Sequence, residues 1–401
     1  MGGLSDAASM TGSTDSIFPE SEAGQASAAD ARARDRARAK TVLDRPAARV
    51  ELTDGRADHA RSGLPRRMPT VSVVIPTYNR KQVLAKTLEA LDGQTLDSGL
   101  FEVIVVDDGS SDGTGELVES FQGGFELRYE RCQNGGLAAA RNRGLALATH
   151  DVVVFLDDDV VPERDFLRQH WIEHCRDDNI AVLRSLPFHP DVARSSFLWY
   201  LEHVTFFDLF KDEEKYAEGR PPMPPVNGNS SVRRRHLERL GGYDATFRAY
   251  GGEDLDLGYR LQEDGVRFVY NARAVGYHYH IKGFEAFCRD QERAGYAVAR
   301  LVEEHPEVRT QKRVDLVMGP LSDLSPRKKL MHVALHALFR LPLPVWGARM
   351  LLRGLGKLYP LRRALVPLYR LGSHYYYAKG IRTYHRELRS RAGADVPLVR
   401  S

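Results

Sequence analysis

Three consecutive carboxylates, Asp157, Asp158 and Asp159, follow directly on the apolar run VVVFL (152–156). Five apolar residues, three of them β-branched, read as a buried strand. Acids crowded at the end of such a strand repel one another unless a positive charge sits among them. Hard carboxylate oxygens suit Mg²⁺ or Mn²⁺, and a divalent cation suits a phosphorylated substrate. Taken alone, the triplet fits a polar loop closing a strand equally well. A second cluster, GGEDLDLGYRLQED (251–264), sets Glu253, Asp254 and Asp256 ahead of Arg260. Capping of a helix start accounts for one of these acids, because the helix dipole favours negative charge there. The others exceed that need. A carboxylate near a metal and a phosphorylated donor can act as general base on an incoming hydroxyl. The glycines before it would let a substrate approach the backbone closely. His278 and His280, two apart in YHYH, share one face of a strand-like segment. Either they are structural, or one completes a coordination sphere with Asp159.

The elements that must carry these groups alternate. VSVVIP (71–76), FEVIVVDDGS (101–110), ELRYERC (126–132) and DVVVFLDDD (151–159) read as strands. KQVLAKTLEALDGQ (81–94), GTGELVESFQ (113–122) and GLAAARNRGLALA (136–148) read as helices between them. That order predicts an α/β fold with a mostly parallel sheet flanked by helices. Ligands of such sheets bind beyond the carboxyl ends of the strands, at a switch point. Both Asp107/Asp108 and Asp157–Asp159 fall at such ends.

Past residue 185 the pattern changes. SSFLWYLEHVTFFDLF (195–210) reads as a helix or lid, RPPMPPVNGNSS (220–231) as a Pro-rich loop, and VRFVYNARAVGYHYH (266–280) as strand-like. The aromatic segment 195–225 is expected to set acceptor choice. Residues 1–66, rich in Ala, Arg, Asp, Ser and Gly, are expected to be mostly disordered. They lack the basic start and apolar core of a secretory signal. The sequence thus divides at 67–283 for a catalytic domain and 284–401 for a helical C-terminal region.

A formal net charge of +3 conceals an asymmetry. From Arg327 to Ser401 there are 16 Lys/Arg and two acids, about +14, which leaves the rest near −11. An acidic body argues against nucleic acid there, and a basic tail suggests anionic lipid first and nucleic acid second, the overall expectation being no nucleic-acid partner. The helical run 328–388 mixes apolar and aromatic residues with Lys and Arg, broken by Arg340, Pro342 and Pro344. It suits interfacial amphipathic helices, or helices packed on the body. No run of about 20 apolar residues indicates a membrane span. Cys132, Cys175 and Cys288 are odd in number and widely spaced, which fits a reducing cytosol without disulfides or a zinc site.

DDGSSDGTGELVE places Asp108, Ser110, Asp112, Gly113 and Glu119 at EF-hand spacing, but a strand precedes it where an EF-hand needs a helix. No Walker A pattern, Rossmann glycine triplet or GxSxG elbow occurs.

The succession VSVVIPTYNR, FEVIVVDDGSSDGT, NGGLAAARNRGL, FLDDDVVP, NGNSSVRRRHLERLGGYD and GGEDLDLGYRL resembles the family 2 glycosyltransferases over about residues 70–300. The resemblance implies a GT-A fold, a nucleotide-sugar donor (UDP-sugars first among them), a divalent metal, Mg²⁺ or Mn²⁺, and inversion at the anomeric carbon. It implies that Pro76, Thr77, Tyr78 and Asn79 form a loop for base and ribose. Asp108 would accept from the base with Asp107 in support, and Arg141 would add a donor contact. Asp157 and Asp159 match the ends of a DxD signature, with Asp159 the metal ligand, Asp157 its more distant partner and Asp158 toward the sugar or ribose. His278 fits a later histidine near diphosphate and metal; Gly228 and Asn229 fit an acceptor-side loop. Asp254 fits the general base, with Glu253 its neighbour. The acceptor expected is a glycan, a lipid-linked sugar or a small molecule, and the expected location is cytoplasmic, peripheral to the inner membrane face. Processive members carry Gln-x-x-Arg-Trp, and no Trp follows Arg260 here, so processive synthesis is not implied. A sugar-1-phosphate nucleotidyltransferase would need a Gly-rich loop after the first strand, which PTYNR is not. A non-catalytic scaffold would have no use for both acid clusters.

Overall fold

The computed structural model describes residues 68–391 apart from 185, 205–223, 248–250, 280–282, 310–313, 319–321 and 323. The expected disorder of 1–66, most of the aromatic segment and its acceptor role, and His280 lie outside the described residues. From Met68 onward the chain forms one unit.

Its first half alternates as β1 (Val71–Thr77), α1 (Lys81–Asp92), β2 (Phe101–Asp107), α2 (Thr114–Ser120), β3 (Glu126–Arg131), α3 (Leu137–Leu147) and β4 (Val152–Leu156). Then come β5 (Val160–Pro162), α4 (Phe166–Arg176), β6 (Ile180–Arg184), α5 (Ser196–Val204), β7 (Asn229–Arg233), α6 (Arg234–Arg239), α7 (Glu253–Glu263), β8 (Arg267–Asn271) and β9 (Gly276–His278). The remainder is helical: α8 (Phe284–Glu304), α9 (Val314–Met318), α10 (Pro326–Arg340), α11 (Leu343–Leu355) and α12 (Val366–Arg391).

Seven strands form one sheet in the order β3-β2-β1-β4-β7-β6-β8, and β5 pairs with β9 in a second. Strands β1 to β4 are mutually parallel; β7 runs antiparallel to both β4 and β6, and β8 is parallel to β6. The chain leaves β3 and returns beside β1 as β4, so the switch point lies at the carboxyl ends of these strands.

Buried parallel strands form where nearly every residue is apolar, since both faces are covered. In β4, Val153 and Phe155 enter the core under α3 and α7, while Val152, Val154 and Leu156 enter the core under α1 and α4. The alternation is the two-residue repeat of a strand. Each such side chain contributes about 1.5–3 kcal/mol relative to exposure. That fixes the depth at which the strand ends, and so where Asp157 emerges.

β7 is the antiparallel member of the mostly parallel sheet, and it departs from the expected loop over 220–231. Its residues NSSVR are all buried. Ser230 donates to the Asn227 carbonyl at 2.7 Å, and the Ser231 hydroxyl lies 2.8 Å from both His170 and His174 of α4. Satisfied hydroxyls let a polar run sit inside the sheet.

The C-terminal helices are built on the body. α8 and α12 cross with backbones touching: a Cβ at Gly295 would lie 1.9 Å from the Tyr377 carbonyl oxygen, and one at Gly380 1.9 Å from that of Glu292. Tyr369, Ala378 and Ile381 of α12 are buried. Helix α10 buries no residue completely. Among the described residues, no helix is long and apolar enough to cross a membrane.

Candidate functional site

The turn after β4 is fixed from three sides. The Thr87 hydroxyl of α1 donates to the carbonyls of Asp158 (2.9 Å) and Val160 (3.1 Å). The Tyr279 amide donates to the Asp159 carbonyl at 2.8 Å. The β5–β9 pairing sets His278 opposite Val160. His278 Nε2 thereby comes to 3.6 Å from Asp159 Oδ1.

The positive charge that the triplet requires is present as Arg80. Its guanidinium lies 3.1 Å from Asp158 Oδ1 and 2.5 Å from Asp159 Oδ2. Burial works against the Arg80 charge, but Asp158 and Asp159 outweigh it and raise its pKa. Asp158 is turned beneath this loop, where it also accepts from the Thr77 hydroxyl at 2.8 Å. Burial raises the Asp158 pKa well above the usual carboxylate range against the pull of Arg80. In this structure Asp158 anchors the loop rather than facing the open site. Arg80 had no role in the sequence reading; the basic pair Arg80–Lys81 between the first strand and the first helix was the signal available.

Asp157 goes elsewhere. Its Oδ1 accepts from Arg141 at 3.0 Å, and the same guanidinium lies 3.3 Å from Glu253. Arg141 is only 2% exposed, so it is not an open donor contact but an internal bridge between strand β4 and helix α7. Among the described residues its Nε and Glu253 Oε2 have no partner. Burial, then Asp254, raises the Glu253 pKa above the carboxylate range, against Arg141. Tyr243 lies under the Arg141 guanidinium at 5.3 Å and donates to the Val226 carbonyl at 2.9 Å. Val226 in turn donates to the Asp254 carbonyl at 3.0 Å. Asp254, half-buried at the start of α7, has its Oδ1 on the Leu255 amide at 2.9 Å.

Gly228 packs against Asp157 so closely that a Cβ would lie 1.7 Å from Oδ1. Asn229 is buried with φ +142°, and among the described residues neither amide atom has a partner. A strained backbone and a buried amide without a partner each cost stability. Gly252 leaves no opening for a substrate: its missing Cβ would meet Ala297 at 2.9 Å. Asp256 is taken by Arg260 at 2.6 Å and His305 at 3.2 Å. Asp256, Glu304 and His305 bring ligand atoms within 4.8 Å of one another, but Arg260 already neutralises Asp256 there.

At the other end of the cleft, Pro76 and Thr77 belong to β1 itself, and only Tyr78 to Arg80 form the turn. Tyr78 is 50% exposed. Asn79, at φ +53°, donates to Ser110 Oγ and accepts from the Ser111 amide, both at 2.8 Å. Asp107 accepts from the Ser110 amide and Tyr129, both at 2.7 Å. Asp108 accepts from the amides of Gly135 (2.8 Å) and Gly136 (2.9 Å), and each oxygen keeps a second lone pair. Asp112 caps Thr114 and accepts from the Lys81 amide at 2.9 Å, so that polar turn is closed on itself. A cavity lined by Asp92, Thr95, Phe101 and Phe125 opens at the amino end of β2, away from these groups.

Residues 72–241 match the sequence family described as glycosyl transferase family 2. The chain carries a family 2 glycosyltransferase domain. A second family, described as the N-terminal domain of galactosyltransferase, matches residues 222–283. An uncharacterized glycosyltransferase of Bacillus subtilis, YfnE, is 31% identical over 251 residues, covering 52% of this chain and 64% of the relative. A chondroitin synthase of Escherichia coli is 30% identical over 244 residues, 54% of this chain and 35% of the relative. The chain thus spans less than two thirds of either relative's length. The structure of a mannosyltransferase from Pyrobaculum calidifontis, in complex with GDP-Man and Mn²⁺, aligns with TM-score 0.50 and 22% identity over 78% of this chain and 88% of that one. The fold is GT-A.

In this family 2 domain, Asp159 with His278 could hold a divalent cation, with Asp157 on the same turn. Carboxylate oxygens with one imidazole nitrogen fit Mn²⁺ well and Mg²⁺ adequately. Arg80 holds the other oxygen of Asp159, Oδ2, so cation and guanidinium compete for one carboxylate. A charge-assisted bond is worth about 1.5–3 kcal/mol, reduced here because Arg80 is about one-third exposed. Arg80→Ala is therefore expected to bind Mn²⁺ roughly tenfold more tightly without donor, by titration of free Mn²⁺ in electron paramagnetic resonance. Unchanged or weaker binding would remove Arg80 from this role.

Proposed function

We propose that the protein transfers a sugar from a nucleoside-diphosphate sugar to an acceptor hydroxyl, with inversion and with help from a divalent cation. The observation carrying this reading is the single guanidinium of Arg141, which ties the donor-side acid Asp157 to the Glu253–Asp254 pair. Asp157 and the start of α7, which carries the half-buried Asp254, are thus held side by side.

In this reading Asp254 takes the acceptor proton. The acceptor oxygen forms its bond to the anomeric carbon as the bond to the diphosphate oxygen breaks. The nucleoside diphosphate leaves with the electron pair, and no enzyme-bound sugar forms. A cation held by Asp159 and His278 would neutralise the growing diphosphate charge. Arg80, displaced from the acids, is within reach to add a positive charge to the same end. Tyr78, exposed at the cleft mouth, suits stacking on the base. The Gly228–Asn229 turn borders the acceptor side. The acceptor class proposed is a glycan or lipid-linked sugar.

Thermal unfolding with a panel of UDP-, GDP- and dTDP-sugars tests the reading. One donor is expected to raise the melting temperature by several degrees with Mn²⁺ and by less after EDTA, as a ligand binding the folded state alone must. Absence of a shift with every donor would count against it, and EDTA-insensitive transfer would remove the metal.

A further inference from the structure

We infer that helices α10 and α11 form a docking face for an anionic lipid bilayer. Large apolar residues exposed among the described residues number eleven, and eight of them fall between Leu330 and Leu358. Helix α11 is turned so that Val345, Ala348 and Leu352 face the body, while Leu343 (68% exposed), Trp346 (59%) and Met350 (42%) face outward. On α10, Leu330 (72%) and Val333 (56%) stand three apart, and Leu341 (65%) sits in the turn between the helices. Soluble surfaces scatter such residues singly; a run of them marks an interaction site.

Charge selects the partner. Residues 327–386 contain thirteen Lys/Arg and no Asp or Glu. Glu285 of α8 draws Arg349 and Arg353 toward the body, and Glu292 draws Lys379. Arg327, Lys329, Arg340, Lys357 and Arg363 flank the apolar residues, and among the described residues their side chains make no ion pair. Aliphatic and indole groups ringed by unpaired cations are the composition of an interfacial helix. A second copy meeting this face across a two-fold axis would set cation against cation. The rigid α8–α12 crossing beneath gives the face a fixed base, so it needs no folding on contact. Docked in this way, the protein is peripheral to the membrane, on a leaflet rich in acidic phospholipid.

The test is cosedimentation of the full chain with vesicles of phosphatidylcholine mixed equally with phosphatidylglycerol, against phosphatidylcholine alone. Trp346 serves as the reporter, since Trp171 and Trp199 are only partly exposed. Binding to mixed vesicles with a blue shift of tryptophan emission, and little binding to phosphatidylcholine, is the expected result. Arg340→Gln, Lys357→Gln and Arg363→Gln combined should weaken it about a hundredfold, and Leu343→Glu should abolish it with an unchanged melting curve. Failure to bind mixed vesicles overturns the inference, as does equal binding by folded Leu343→Glu. A dimer in light scattering that Leu343→Glu dissociates would instead assign the face to a second copy. Donor-induced stabilisation is read separately, so a protein without lipid binding can still be a transferase.

Discussion

Asp254→Asn is expected to lower kcat by about 10²–10⁴-fold, the usual contribution of a positioned general base. Donor affinity should stay within a few-fold. Asn keeps the shape and the bond from the Leu255 amide, so α7 still starts where it does. The Asp254 carbonyl continues to accept from Val226, which keeps the Gly228 turn in place. What is lost is the capacity to take a proton. Glu253→Gln should cost less, because Glu253 is buried against Arg141 and its raised pKa already favours the neutral acid at lower pH. The measurement is kcat with donor affinity by calorimetry on the same preparations. Equal losses in both variants, or unchanged transfer by Asp254→Asn, would move the base elsewhere.

Arg141→Met is expected to cost about 3–5 kcal/mol of stability, because it leaves a buried carboxylate without its counter-charge. Glu253, 4% exposed, must then be protonated or break open the start of α7. Asp157 would lose the bond that turns it from Asp159. Stability and activity should part in the double variant Arg141→Met/Glu253→Gln. Its urea midpoint should recover much of the loss, since no buried charge is stranded. Its transfer rate should not recover, since β4 and α7 are no longer tied. A single variant that unfolds at the wild-type urea concentration would show that the bridge carries no stability.

The parallel half of the fold was legible because its information is local. β1, β2, β3 and β4 end within a few residues of where the apolar runs end, and α1 and α3 match their expected spans to within one or two residues. Two-sided burial needs apolar residues at every position, and a sequence shows that directly. β7 was not legible, because Ser231 finds its partners only after α4 has packed beside it, and Ser230 turns back to the Asn227 carbonyl. The site divides in the same manner. The acids declared themselves at strand ends, yet their pairings did not. Arg141 and Glu253 are 112 residues apart, and no spacing rule reaches that far. Within the DDD triplet, neighbouring side chains leave the chain in different directions, so three identical residues acquire three tasks.

The reversed strand has a further meaning. Because β7 runs against β4, Asn229 pairs with Leu156, the last residue before the triplet. Whatever the chain does between those two points, it must come back to the same edge. The intervening stretch carries Asp157–Asp159, α4 and β6, so the acids and the far half of the sheet hang together from the same five backbone pairs.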